Sequence, residues 1–228
     1  VFRESGILVS GIVGGLYSST ATISVLARKS RKAPVQDAPE YVAAMLLAVS
    51  MMFLRFLILI GIFSSETLKA IYPYLLIMSA TSAGVAWYLH LKGKRKSSTG
   101  EVDEEEDSSN PLEFKVALIF ATLFVVFTFL THYTLKYAGT GGLNLLSVVS
   151  GFSDITPFIM NLLQGAGTVA VLVVTACAMQ AMVSNIILNM CYSLFFSGKK
   201  SPLRPYILGG FGSVIAVNVC LLLFFYLF

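Results

Sequence analysis

The stretch GILVSGIVGGLYSSTATISVL, residues 6–26, carries no charged residue, yet its centre is crowded with Gly11, Gly14, Gly15 and then Ser18-Ser19-Thr20-Ala21-Thr22. An uncharged run of this length is what a bilayer-inserted helix requires. Glycines and hydroxyls in its middle admit two readings. Small residues let helix backbones approach closely, and Ser/Thr side chains bond across the contact. Alternatively the helix is discontinuous, and its freed backbone groups and hydroxyls line a polar site near mid-depth. Residues 6–26 alone leave both readings open.

The same pattern recurs 136 positions later. Without gaps, Gly6 falls on Gly142, Val13 on Val149, Gly15 on Gly151, Thr20 on Thr156 and Leu26 on Leu162. GLYSST (15–20) lies against GFSDIT (151–156), which sets Ser18 opposite Asp154. The following segments also match, AVSMMFLR (48–55) against MVSNIILN (182–189), so that Arg55 stands opposite Asn189. Each unit reads as a Gly- and hydroxyl-rich span, then a helix with a polar residue at mid-depth, then a further helix. The second unit is also preceded by an apolar helix, 114–136, without a counterpart ahead of the first. The chain starts at Val1 rather than Met. Both features lead us to expect a first repeat truncated at its N-terminal side.

Composition sets the class. Hydrophobic residues make up 56 % of the 228, charged residues only 12 %, and the mean hydropathy is +0.80. A soluble domain carries about twice that charged share. The runs lack the alternation of a barrel strand, so helices are the spanning element. We expect an all-α polytopic bundle of about seven segments: 6–27, 41–63, 71–91, 114–136, 142–163, 168–196 and 206–228. Its organisation would be a first membrane repeat (1–96), an acidic flexible linker (97–112) and a second membrane repeat (113–228). A net charge of +4, dispersed as it is, leaves no footprint for nucleic acid.

Basic clusters at 28–32 (RKSRK) and 92–96 (KGKRK) flank segments two and three. Both therefore lie on one side, which the positive-inside rule makes cytoplasmic together with loops 28–40 and 92–112. The acidic stretch SSTGEVDEEEDSSN (97–110) reads as a solvated linker, because its spacing fits no defined calcium loop. Downstream there is a conflict. If 142–163 crosses fully, Lys199, Lys200 and Arg204 land outside, against the positive bias; if it is broken or re-entrant, they return to the cytoplasm.

Asp154 sits in the run Ser150-Gly151-Phe152-Ser153-Asp154-Ile155-Thr156-Pro157. An acid at membrane depth is costly and marks an ion path, a proton relay or a counter-ion pair. Its plainer role is the N-cap of a half-helix, with Pro157 as the helix break. Arg55 is too deep to snorkel easily. It either pairs with Asp154 or faces a wet cavity, where it could bind an anion or repel cations. Asn185 and Asn189, four apart, share a helix face. The candidate pathway lining is Ser18, Ser19, Thr20, Arg55, Asp154, Thr156 and Asn185. Gly14, Gly15, Gly151 and Pro157 are candidate packing or break positions. His90 and His132 have no metal-binding spacing, and Cys177, Cys191 and Cys220 sit in apolar runs as packing residues. One carboxylate is too few for an intramembrane aspartyl protease, and no base is evident near Ser18 or Ser19. We therefore expect no enzyme and no cofactor, and no metal is assigned.

GILVSGIVGGLYSSTATISVLARKSRK (6–32), MMFLRFLIL (51–59), NPLEFKVALIFA (110–121), LLSVVSGFSDITPF (145–158) and VSNIILN (183–189) resemble a known group. It is the C-terminal membrane domain of unknown function that follows an MgtC/SapB-like domain in prokaryotic inner-membrane proteins. The resemblance implies an inner-membrane location and, as partner besides the lipid bilayer, an N-terminal MgtC-like membrane half or a homo-oligomer. It also suggests a link to magnesium or other cation homeostasis. Two departures bear on this: the group tends to carry a second acid where Thr156 stands and a basic residue where Asn189 stands. The expected function is an ion or small-solute transporter or channel-like protein with a midplane polar site. The alternative is a non-transporting regulatory subunit that docks onto another membrane protein.

Overall fold

In the computed structural model, which describes residues 3–94, 112–164 and 169–227, all regular elements are helical. They are α1 (Arg3–Lys29), α2 (Ala38–Phe63), α3 (Ser65–Lys94), α4 (Leu112–Ser150), α5 (Ile155–Gln164), α6 (Val171–Ser197) and α7 (Arg204–Leu227). A short 3-10 turn, Val35–Asp37, precedes α2. The expected all-α membrane bundle is observed, with shifted segment bounds. Segment 71–91 starts earlier, at Ser65, because the Ser64 hydroxyl accepts the Thr67 N–H at 3.2 Å and caps the helix one residue after α2 ends. Most of the linker 97–112 lies outside the described residues.

By length and composition, five helices among the described residues could cross a bilayer: Gly6–Lys29, Val35–Phe63, Ser65–Gly93, Val171–Ser197 and Arg204–Leu227. Packing register shows that the first does not. Ser18 is extended (φ −154°, ψ 108°) and breaks α1 in two. Residues before the break run alongside α2 in the same direction: a Cβ on Gly11 would meet the Ala44 carbonyl oxygen at 2.4 Å, and one on Gly15 the Ala48 Cα at 2.5 Å. Were α1 straight, Lys29 and Ala38 would be ~36 Å apart along α2, whereas nine extended Cα steps reach only ~30 Å. Across the break, a Cβ on Gly14 would come 2.5 Å from Thr22 Oγ1, eight residues on. A straight helix would hold such residues ~12 Å apart. So α1 is a re-entrant hairpin with Ser18 at its tip. Of the two readings open for residues 6–26, the discontinuous helix is the one observed; hydropathy could not separate them, because it measures apolar length and not direction.

The second Gly-rich segment folds likewise. The chain turns back at Gly139, whose φ of +58° suits glycine. A Cβ on Gly142 would lie 2.8 Å from Thr134 Cγ2, again eight residues away. Residues 140–150 then run parallel to α6. Cys177 Sγ donates to Asn144 Oδ1 (3.3 Å), Ser147 Oγ to Gln180 Oε1 (2.6 Å), and a Cβ on Gly151 would be 2.3 Å from Ser184 Cβ. After a turn at 151–154, α5 returns to the start of α6. It packs on the first part of α4, with the Phe127 and Phe158 rings 5.7 Å apart and Asn161 Nδ2 donating to Thr128 Oγ1 at 2.6 Å. Segment 142–163 is therefore re-entrant.

The two hairpins enter from opposite faces. The open end of the first adjoins the end of α6: Arg31 donates to the Phe195 and Phe196 carbonyls, and the Arg28 guanidinium lies 4.4 Å over the Phe196 ring. The open end of the second adjoins the beginning of α6. Helix α6 thus starts at one hairpin's face and ends at the other's. This also resolves the charge conflict: Arg28–Lys32, Lys92, Lys199, Lys200 and Arg204 all fall on one basic face. Lys92 stands 5.6 Å from the Tyr206 ring, and the Arg31 side chain borders Gly198.

Helices α2 and α6 are the most buried, and the other helices pack their apolar faces around them. Val42, Leu46, Phe53 and Phe56 on α2, and Val174, Met179 and Met182 on α6, are fully buried. Helices in lipid gain little hydrophobic drive from association, so close packing and interhelical hydrogen bonds do the holding. The Ser50 and Ser79 hydroxyls, 2.9 Å apart, tie α2 to α3 at mid-depth.

Candidate functional site

Each hairpin tip is closed by a side chain at the matching position of the two units. Ser18 Oγ accepts the Ala21 N–H at 3.3 Å, and so caps the returning arm of α1. Asp154 Oδ1 accepts the Thr156 N–H at 3.0 Å, and caps α5. Both are N-cap arrangements, in which a short polar side chain satisfies an otherwise unpaired N–H. Pro157 lies in the first turn of α5, where a missing N–H removes no helical bond. The Thr22 hydroxyl donates back to the Ser18 carbonyl at 2.8 Å, satisfying the other polar group of that break.

Glycines bring the tips onto their supporting helices. Gly15 lies against Ala48 of α2, and Gly151 against Ala181, Ser184 and Asn185 of α6. Gly14 instead packs within its own hairpin, against Thr22. The Gly151 carbonyl accepts Asn185 Nδ2 at 3.2 Å, and Asn185 Oδ1 accepts Asn189 Nδ2 at 3.1 Å. Sequence reasoning placed both asparagines on one face; the structure shows that face gripping the second tip.

Between the tips is a cavity of about 330 Å³. Six of the seven candidate lining residues border it: Ser18, Ser19, Thr20, Arg55, Asp154 and Asn185. The seventh, Thr156, is just behind it, its hydroxyl accepting Arg55 Nη2 at 3.2 Å. Arg55 Nη1 donates to the Tyr17 carbonyl at 2.6 Å. Arg55 therefore spans both tips. Among the described residues no ion pair within 4 Å joins Arg55 to Asp154, so the direct pairing considered from sequence is not formed. Asp154 is exposed to the cavity rather than buried.

Other lining residues were not singled out from sequence: Ser24, Met52, Phe152, Ser153, Leu188 and Tyr192 among them. Leu188 and Tyr192 follow Asn185 at spacings of three and seven, so the helical period did hold a signal for them. With Ser24, they carry the cavity from the tips towards the basic face.

Residues 1–197 match the family model of a domain of unknown function, DUF4010. The chain belongs to this family. The match includes every lining residue of the cavity and leaves out α7. An uncharacterized protein of Aquifex aeolicus (strain VF5) is 25 % identical over 202 residues, covering 87 % of this chain and 86 % of its own length. No solved structure matches.

Proposed function

We propose that this chain moves an ion or small solute across a membrane by alternating access, with its binding site between the two hairpin tips. One observation carries the reading: two half-depth hairpins, entering from opposite faces, meet at a single cavity beside a mid-depth arginine. Broken helices at matching positions of oppositely oriented units are how repeat-built transporters form a midplane site. Polar residues at membrane depth are confined to the bundle interior or a water-filled cavity, and they commonly mark a substrate or ion pathway. By the positive-inside rule the basic face is cytoplasmic, and Ser24, Leu188 and Tyr192 extend the cavity from the tips towards that face. The membrane is the inner membrane on the MgtC-like resemblance.

A role in magnesium handling, suggested by that resemblance, is the less favoured version. A divalent cation wants several oxygen ligands, commonly more than one carboxylate, and this cavity presents Asp154 alone beside a guanidinium. The test is flux in proteoliposomes. Wild type should move at least one solute from a panel of cations, anions and neutral solutes, and Arg55→Gln, purified as a monodisperse protein, should lose that movement. Wild type silent across the panel would overturn transport and leave the regulatory-subunit reading in its place.

A further inference from the structure

The cavity does not stop at the hairpin tips. Ser24 on the returning arm of α1, and Leu188 and Tyr192 on α6, line the part of it nearer the basic face. Resting on the transport reading, we propose that the Phe196 ring is a shutter over this cytoplasmic mouth. Arg28 holds the ring in place, and Arg31 pins the end of the helix that carries it.

Helix register places the shutter. From the level of the tips, the returning arm of α1 and helix α6 both run towards the basic face. One turn beyond Ser24 is Arg28, and one turn beyond Tyr192 is Phe196. Residues four apart share a helix face, so Arg28 and Phe196 each continue the cavity wall by about 6 Å. There the two side chains meet. The Arg28 guanidinium lies 4.4 Å over the Phe196 ring, and the Tyr192 and Phe196 rings are 5.8 Å apart. The lining of the cavity ends at Ser24 and Tyr192, one turn short of this contact.

The two arginines hold in different ways. Arg31 donates to the Phe195 and Phe196 carbonyls, at the end of α6, where the last carbonyls have no helical partner. Hydrogen bonds from a charged donor are strong, and these fix where the helix end sits. Arg28 holds the ring by a cation–π contact, which is weak at an exposed site, and Arg28 is exposed. Rotation of the Phe196 side chain breaks that contact and leaves the Arg31 bonds intact. The backbone at the mouth is thus held firmly, and the ring across it lightly. In place, the apolar ring bars water from a passage whose inner wall carries the Ser24 hydroxyl; swung aside, it opens that passage to the cytoplasm.

The full chain in oriented membrane vesicles, with Cys177, Cys191 and Cys220 replaced by alanine, tests this through Leu188→Cys. A membrane-impermeant thiosulfonate added from the cytoplasmic face should label that thiol slowly. Adding Arg28→Gln or Phe196→Ala should speed the labelling roughly tenfold. Phe196→Trp, which keeps a ring for Arg28, should leave the rate near its starting value. Lys29→Cys, beside the mouth and outside the cavity, is the control, and should label equally fast with and without these substitutions. Arg28 is exposed, so Arg28→Gln keeps the test decisive even where Phe196→Ala fails to fold. A Leu188→Cys rate unchanged by Arg28→Gln and Phe196→Ala would overturn the shutter, as would a rate raised equally by Phe196→Trp. Solute flux in proteoliposomes would then leave the transport reading standing. Labelling as expected without flux of any solute would remove transport and leave the ring as a cover of the cavity.

Discussion

Arg55, on α2, donates to the main-chain carbonyl of Tyr17 at 2.6 Å, one residue before the first hairpin breaks at Ser18. The same guanidinium reaches Thr156 Oγ1 at 3.2 Å, two residues after the cap of the second hairpin. One side chain thus reads the position of both tips. Thr156→Val removes only the second link. A hydrogen bond to a charged group contributes about 1.5–3 kcal/mol, so the protein should still fold, with a modestly lower Tm. Solute flux should fall several-fold more than this stability loss explains. Unchanged flux would show that the second link does not matter to transport.

Close approach of the tips depends on glycine. Gly151→Ala places a Cβ 2.3 Å from Ser184 Cβ and 2.6 Å from the Ala181 oxygen, and Gly15→Ala places one 2.5 Å from Ala48 Cα. Overpacking of this kind costs about 1–3 kcal/mol, and Tm in detergent should drop for both variants. Gly84→Ala on α3 meets nothing within 4 Å, and should be neutral or slightly stabilising, because alanine is the better helix former. Equal Tm for all three would contradict the packing described.

Ser18 and Asp154 are capping residues at matching positions, one neutral and one a carboxylate. Ser18→Ala should lower stability by about 1 kcal/mol through loss of the cap. Ser18→Asp should retain the cap and near-wild-type Tm, while adding a carboxylate to the cavity. Solute flux should then change markedly although the fold is intact. Thermal melts and flux assays on the same preparations separate the two effects.

Much of this site is legible in the sequence. The self-alignment sets Ser18 opposite Asp154 and Gly15 opposite Gly151, and Gly, Ser, Thr and Pro inside apolar runs announce broken helices. Re-entrancy is not legible in residues 6–27, because a run of that length serves equally as one crossing or two half-crossings. The misplacement of Lys199, Lys200 and Arg204 in a simple crossing scheme does point to it, for the second hairpin alone. Cavity-wall residues such as Met52 and Leu188 are ordinary apolar residues on mostly buried helices, and only the packed structure distinguishes them from core. The grip of Arg55 on Tyr17 is a main-chain contact, to which no side-chain pattern corresponds.

Opposed re-entrant hairpins are the feature on which the site and the transport reading both depend. Their most direct test is thiol labelling in oriented membrane vesicles, with Cys177, Cys191 and Cys220 replaced by alanine. Single cysteines at Gly6 and Lys29 should react with a membrane-impermeant reagent from one face only, the same for both. Those at Thr140 and Gln164 should react from the opposite face only. Labelling of Gly6 and Lys29 from opposite faces would make α1 a full crossing, and would contradict the account at its root.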